Sequence, residues 1–242
     1  MQNSQRKYST LRVTLRSLRE IQFTKFMIRP DICVSIANTS FENILKILEE
    51  VGMAEIRIDM LDLMPNQLEL IFSSHKNLIA TCRQGKYDEV QRASLLSRAI
   101  ESGAAWVDLE IETSPEWRKP LIDLAKSKRC KIIISWHCFG KTPEEDDIYK
   151  LVDSLYLAGA DVAKIACLSN NRSDSARILS LYSKYKNLVA IGMGSNGVVT
   201  RVSALSLGAP FTFASLEGCQ TAPGQIDYKE MEKIINKIEQ LS

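Results

Sequence analysis

Eight short apolar runs, each followed by a longer amphipathic one, constrain this chain more than any other feature. A strand that always returns through a helix has to pair in parallel. The apolar runs are Ile32 to Ala37, Ala54 to Met60, Asn77 to Arg83, Trp106 to Glu112, Lys131 to Cys138, Val162 to Leu168, Asn187 to Met193 and Phe211 to Leu216. Helical periodicity fills the gaps, near 41–51, 66–74, 88–102, 115–128, 143–158, 172–185, 199–207 and 227–241. The pattern predicts an α/β fold, a single (β/α)8 TIM barrel, whose usual length of about 250 residues compares with 242 here. An open doubly wound sheet is the alternative, but it normally has fewer strands and a glycine-rich phosphate turn, and no G-x-G-x-x-G follows a strand in this chain.

Local signals support the same division. Thr142-Pro143-Glu144-Glu145 reads as a helix cap, a proline at the first helical position and acids in the first turn. Ser173 or Asp174 can cap the next helix, and Gly52, Gly103 and Gly159 stand where helices stop before strands.

The charge of +2 is unevenly spread. Residues 1–26 carry Arg6, Lys7, Arg12, Arg16, Arg19 and Lys25 against Glu20 alone, and the remainder is slightly acidic, which argues against nucleic acid as a partner. Two readings of this head stay open, a targeting or lipid-touching arm and a dispensable, poorly ordered extension. On the second, the catalytic domain spans 27–242 and Met27-Ile-Arg-Pro-Asp leads into the first strand. No apolar run reaches the roughly 18 residues of a membrane span, and no signal-peptide core is visible, so a cytoplasmic protein without membrane partners is expected. Cys33, Cys82, Cys130, Cys138, Cys167 and Cys219 form no C-x-x-C pair and read as reduced core or near-core thiols.

Barrel enzymes place their chemistry at the C-terminal ends of strands. Polar residues recur there: Glu55, Arg57 and Asp59, then Arg83, Asp108 and Glu110, His137, and Lys164. Period-two alternation puts Glu55, Arg57 and Asp59 on one face, and likewise Ser135 with His137. Lys164 lies in the otherwise apolar Val162-Ala-Lys-Ile-Ala-Cys167. A free lysine has a pKa near about 10.4, and burial beside Arg57 and Arg83 would favour the neutral amine that attacks carbonyls. The plain alternative is a rim lysine paired to Asp108 or Glu110. His137, one strand away, is the natural general acid and base, or else a satisfied structural histidine. His75 sits in a polar connection and reads as solvated. With two histidines and no matching carboxylate spacing, no transition-metal site is expected. Arg201 can fork onto a carboxylate, or stand solvated in a first turn. The loop Gly218 to Gln225 can act as a lid over the mouth.

Taken in order, Glu55-Ile-Arg57-Ile-Asp59, Thr81-Cys-Arg83, Asp108-Leu-Glu110, Ser135-Trp-His137-Cys-Phe139, Gly159-Ala-Asp-Val-Ala-Lys164-Ile-Ala, Met193-Gly-Ser-Asn-Gly197-Val-Val-Thr-Arg201 and Thr221-Ala-Pro-Gly-Gln225 resemble the motifs of type I 3-dehydroquinate dehydratase. The resemblance implies a cofactor-free lyase of the shikimate pathway that converts 3-dehydroquinate to 3-dehydroshikimate. It implies Lys164 as the imine-forming residue and His137 as the proton carrier. Arg201 matches its carboxylate-binding arginine, and Met193 a methionine that packs on substrate. Glu55, Arg57, Arg83 and Gln225 match positions that hold substrate hydroxyls and order the mouth, and Thr221 stands where the lid serine is usual. A homodimer is expected, as barrels often pair through helices. The loop Gln84 to Glu89 lacks the family's Glu-Gly-Gly, whose glutamate orients the histidine. Tyr87 occupies that position, so Asp88, Glu89 or Glu110 would have to take the role. Cys138 also departs from the acid or amide that usually follows the histidine.

Overall fold

The computed structural model describes residues 29–241. The basic head and the start at Met27 fall outside the described residues. Eight strands form one parallel sheet: β1 (Ile32–Ile36), β2 (Met53–Arg57), β3 (Leu78–Thr81), β4 (Trp106–Glu110), β5 (Lys131–Cys138), β6 (Val162–Leu168), β7 (Leu188–Met193) and β8 (Thr212–Ser215). Each strand pairs with its neighbours in sequence and β1 also pairs with β8, which leaves a single seam between β7 and β8. A loop contact crosses that seam: the Gly194 N–H, just after β7, donates to the Pro223 carbonyl, beyond β8, at 3.2 Å. The fold is therefore a nearly closed (β/α)8 barrel.

The returning helices are α1 (Phe41–Leu48), α2 (Pro65–Ser74), α3 (Glu89–Glu101), α4 (Pro115–Lys128), α5 (Glu145–Leu157), α6 (Arg172–Ser180), α7 (Val198–Ser203) and α8 (Tyr228–Glu239). Among the described residues none is long and apolar enough to cross a membrane. The two faces of the sheet feed separate cores. Outward residues such as Ile56, Ala80, Ile134 and Ile165 pack under the helices. Inward residues, among them Met53, Ile79, Ile133, Val162 and Phe211, plug the lower barrel. Two positions further along, the inward side chains turn polar on six successive strands, Ser35, Glu55, Thr81, Asp108, Ser135 and Lys164, all buried. Alternation thus lays a polar floor directly above the apolar plug.

Several boundaries differ from expectation. β2 ends at Arg57, and Ile58–Met60 forms a 3-10 turn that takes Asp59 out of the strand. α5 starts at Glu145 rather than Pro143, because Thr142 Oγ1 donates to the Leu168 carbonyl at 2.9 Å and holds its segment across the end of β6 instead of capping a helix. Asn171 caps α6, accepting from the Asp174 N–H at 3.0 Å; neither Ser173 nor Asp174 does so. Gly103 and Gly159 follow α3 and α5 with positive φ, as expected. Gly52 has another reason to be glycine, since a Cβ there would collide with the Arg29 carbonyl. His75 is half-buried and held by the backbone rather than free in solvent: one ring nitrogen contacts the Val51 carbonyl at 3.1 Å, and Nδ1 accepts from the Asn77 N–H at 3.2 Å. Of the cysteines, Cys219 is exposed rather than near-core.

Candidate active site

Lys164 rises from the middle of β6 into the polar floor, with 5% of its surface exposed. Its Nζ donates to Asp108 Oδ2 at 2.8 Å, stands 3.5 Å from Glu55 Oε1 and lies 4.2 Å from the centre of the Phe213 ring. Pairing with Asp108 was the plain reading of this lysine, but the pair lies beneath the mouth and not on its rim. Of the two guanidiniums expected beside it, Arg83 shares its carboxylate and only Arg57 is engaged elsewhere. Arg57 forks onto Asp59, with Nε and Nη2 at 3.1 and 2.6 Å from the two carboxylate oxygens. Arg83 donates to Asp108 Oδ2 at 2.7 Å and to Ser135 Oγ at 2.9 Å. Burial alone would raise the Asp108 carboxyl, but Arg83 and Lys164 outweigh it and hold that carboxyl far below the usual range. Glu55 is likewise held low by Lys164 and Arg57 against its burial, and it accepts from Ser35 Oγ at 2.8 Å and Thr81 Oγ1 at 3.0 Å.

His137 and Lys164 face the same space from adjacent strands, since the ladder pairs Ser135 with Lys164 and His137 with Ala166. The imidazole is pushed down to about 2, first by burial and then by Arg83 and Lys164, with Asp108 opposing. It is therefore neutral near pH 7 and able to accept a proton. Phe139 stacks beside it, 6.5 Å between ring centres with the planes 15° apart.

Above the floor opens a cavity of about 310 Å³. Glu55, Arg57, Arg83, Glu110, His137, Lys164, Met193, Arg201, Thr221 and Gln225 all line it. Arg201 is 1% exposed, and its Nε and Nη1 have no hydrogen-bond partner among the described residues. Desolvation lowers its guanidinium to about 10, with no carboxylate nearby to offset the burial. A buried cation with two idle donors is costly unless an anion completes it. Thr221, Ala222 and Gln225 of the loop after β8 also line the cavity: Gln225 Oε1 accepts from Thr221 N, Ala222 N and Thr221 Oγ1 at 2.7, 3.2 and 3.1 Å, and Gln225 Nε2 reaches Ser35 Oγ at 3.4 Å.

Two of the candidates for orienting His137 lie away from it. Asp88 caps α3, accepting from the Gln91 N–H at 2.8 Å. Glu89 pairs with Arg92 at 2.7 Å. Glu110 does line the cavity, but its carboxylate is taken by Arg92 Nη2 at 2.9 Å, with Arg83 3.7 Å away. Among the described residues none hydrogen-bonds the His137 ring. Asp108, a strand-end residue of the mouth and a candidate partner of Lys164 in the sequence, is the central anion of the floor. The signal was present in Trp106-Val-Asp-Leu-Glu110, where alternation sends Asp108 inward between the apolar Val107 and Leu109. No cluster of three or more His, Cys, Asp or Glu suited to a metal ion occurs among the described residues.

Comparison with known proteins agrees with this geometry. A family model described as Type I 3-dehydroquinase matches residues 32–242. A Methanococcus maripaludis 3-dehydroquinate dehydratase is 32% identical over 223 residues, covering 86% of this chain and all of the relative. The Aquifex aeolicus 3-dehydroquinate dehydratase structure superposes with a TM-score of 0.73 at 29% identity, over 85% of this chain and 97% of the other. A Clostridium difficile type I 3-dehydroquinate dehydratase, crystallised with covalent modified comenic acid, shares the fold with a TM-score of 0.77 at 24% identity over 89% and 94% of the two chains. With nearly its whole barrel matched, this chain belongs to the type I 3-dehydroquinase family.

Proposed function

We propose that this enzyme is a hydro-lyase of the shikimate pathway that removes water from 3-dehydroquinate to give 3-dehydroshikimate through an imine on Lys164. The observation that carries the reading is the conjunction in one cavity of a buried lysine, a neutral histidine from the next strand and an arginine with two unpartnered donors. Substrate carboxylate bound at Arg201 gives those donors an acceptor and fixes the ring against the floor. Met193 packs on the ring, while Glu55, Arg57, Arg83 and Gln225 hold its hydroxyls and order the opening, with Thr221 in the lid.

The chemistry follows from these positions. Lys164, once it has given up its proton, attacks the ketone carbon, and loss of water leaves an iminium beside Asp108 and Glu55, whose negative charges favour the cation. The iminium is an electron sink that acidifies the adjacent C–H. His137 takes that proton, the C–H electron pair forms an enamine, and the imidazolium returns the proton to the β-hydroxyl as it leaves as water. Hydrolysis of the resulting iminium consumes one water, frees the enone and restores the amine. Imine formation and hydrolysis cancel, so the net change is loss of one water.

Borohydride added with 3-dehydroquinate tests this directly. The reduced adduct should map to Lys164, and Lys164→Ala should lose both adduct and turnover. Turnover with an unmodified lysine overturns the imine. Tight binding with no rise in enone absorbance points instead to a barrel that holds a hydroxy acid without converting it.

A further inference from the structure

Cys138 and Cys167 face each other at the ends of β5 and β6, where their Cα atoms are register partners in the parallel ladder. One step back the pair is His137 with Ala166, and Lys164 pairs with Ser135, so the thiols ride on the two strands that carry the reacting side chains. Alternation turns both thiols away from the cavity and toward the helices. There Cys167 is fully buried in the outer core and Cys138 is half-buried, and both are free thiols. The loops leaving these strands are tied together, Thr142 to the Leu168 carbonyl and Asn170 Nδ2 to the Gly140 carbonyl at 3.3 Å, which keeps the strand ends side by side. Sequence reading marked Cys138 as a departure from the family pattern, and the proposed reaction leaves it unused.

We propose that Cys138 and Cys167 form a dithiol that peroxide closes to a disulfide, and that closure slows the adjacent active site. The rate effect rests on the proposed function; the disulfide does not. Neighbouring strands lie about 4.8 Å apart, inside the roughly 4.4–6.8 Å that separates Cα atoms across disulfides. A disulfide also draws the Cβ atoms to about 3.8 Å. Side chains standing parallel on one face start near the strand spacing, so closure pulls the two ends together by on the order of 1 Å. His137 is the residue next to Cys138, and a 1 Å misplacement of a reacting group can cost about 100-fold in rate.

The step balances with hydrogen peroxide as oxidant. The Cys138 thiolate attacks one peroxide oxygen, giving a sulfenic acid and the first water; Cys167 attacks that sulfur, forming the S–S bond and releasing the second. Two thiols lose two hydrogens and one peroxide becomes two waters. Cys138 meets the oxidant because it is the more accessible. Burial pushes the Cys167 thiol up to about 12, which makes the second step the slower one.

The test uses the full chain. After peroxide treatment, intact mass and peptide mapping should show the loss of two hydrogens in a peptide pair joining Cys138 to Cys167. Turnover should fall by roughly 10- to 100-fold and recover with dithiothreitol. Cys138→Ser, outside the cavity, should keep its basal rate and show neither response. Oxygen added at Cys219 without a Cys138–Cys167 bridge, or a bridge that leaves the rate unchanged, overturns the proposal. If the reduced chain fails to turn over 3-dehydroquinate, the proposed reaction fails, and the mapped bridge still decides the dithiol.

Discussion

Lys164 Nζ and Asp108 Oδ2 meet 2.8 Å apart in the barrel floor, with the Asp108 side chain wholly out of solvent and that of Lys164 6% exposed. The same oxygen accepts from Arg83 at 2.7 Å, so one carboxylate holds two buried cations. Asp108→Asn leaves both with less than a full partner. Unfolding in urea should show a loss of about 3–5 kcal/mol, the usual cost of breaking a buried pair from one side. Turnover should fall by about 100-fold as the proposed iminium loses its nearest anion. A variant as stable and active as the parent would mean that the pair is incidental.

Arg201 presents the opposite case, a buried cation with nothing to hold. Arg201→Met removes the desolvation cost along with the idle donors, so the ligand-free fold should gain about 1–3 kcal/mol of stability. Substrate then loses a charge-assisted fork worth about 1.5–3 kcal/mol, a rise in KM of roughly 10- to 100-fold. An unchanged KM would remove the arginine from carboxylate binding, whatever happens to stability.

The lid depends on Gly224, which has φ +76° and where a Cβ would stand 2.5 Å from the Gly194 carbonyl oxygen. Gly224→Ala has to move the backbone that carries Gln225 and the Pro223 contact across the β7–β8 seam. With most of the fold untouched, thermal stability should change little while kcat/KM drops by about 10-fold or more. Equal activity with a retained lid would show that the seam can shift to admit the methyl group.

Much of this architecture is legible in the residues. Lys131–Cys138, Val162–Leu168 and Pro115–Lys128 appear in the structure with the limits that their apolar periodicity gives. Long β-branched runs and a proline-started amphipathic helix leave little competition. Pro143 misled because its cap signal is local, whereas the Thr142 bond to the Leu168 carbonyl depends on which loop lies across which strand. Alternation likewise sends Glu55, Asp108, His137 and Lys164 inward without saying who touches whom. The stagger between strands brings Lys164 to Asp108 rather than to Arg57, and places Glu110 against Arg92 from α3. The empty fork of Arg201 belongs to the same class, since a sequence shows an arginine and not the absence of its partner.

The histidine leads to a prediction about acid. A free imidazole titrates near about 6.5, whereas His137 in the fold is pushed down to about 2 by burial and the neighbouring cations. The folded chain therefore binds fewer protons here than the unfolded chain at any pH between these values. Stability contributed by the neutral ring is complete above the unfolded value and drains away as pH falls below it. Carboxylates held low in the fold, such as Asp108, act in the same direction, but their unfolded forms titrate near about 4, so the interval from pH 7 to 5 isolates the histidine. Over that interval the parent should lose about 2 kcal/mol more than His137→Asn, read from urea unfolding at each pH. The same neutral ring keeps its proposed role as base, so kcat/KM should show no fall from histidine protonation down to about pH 5. Parallel stability curves for parent and variant, together with a rate that collapses near pH 6.5, would mean that the ring titrates as freely as a solvated one, and that the cavity does not desolvate it.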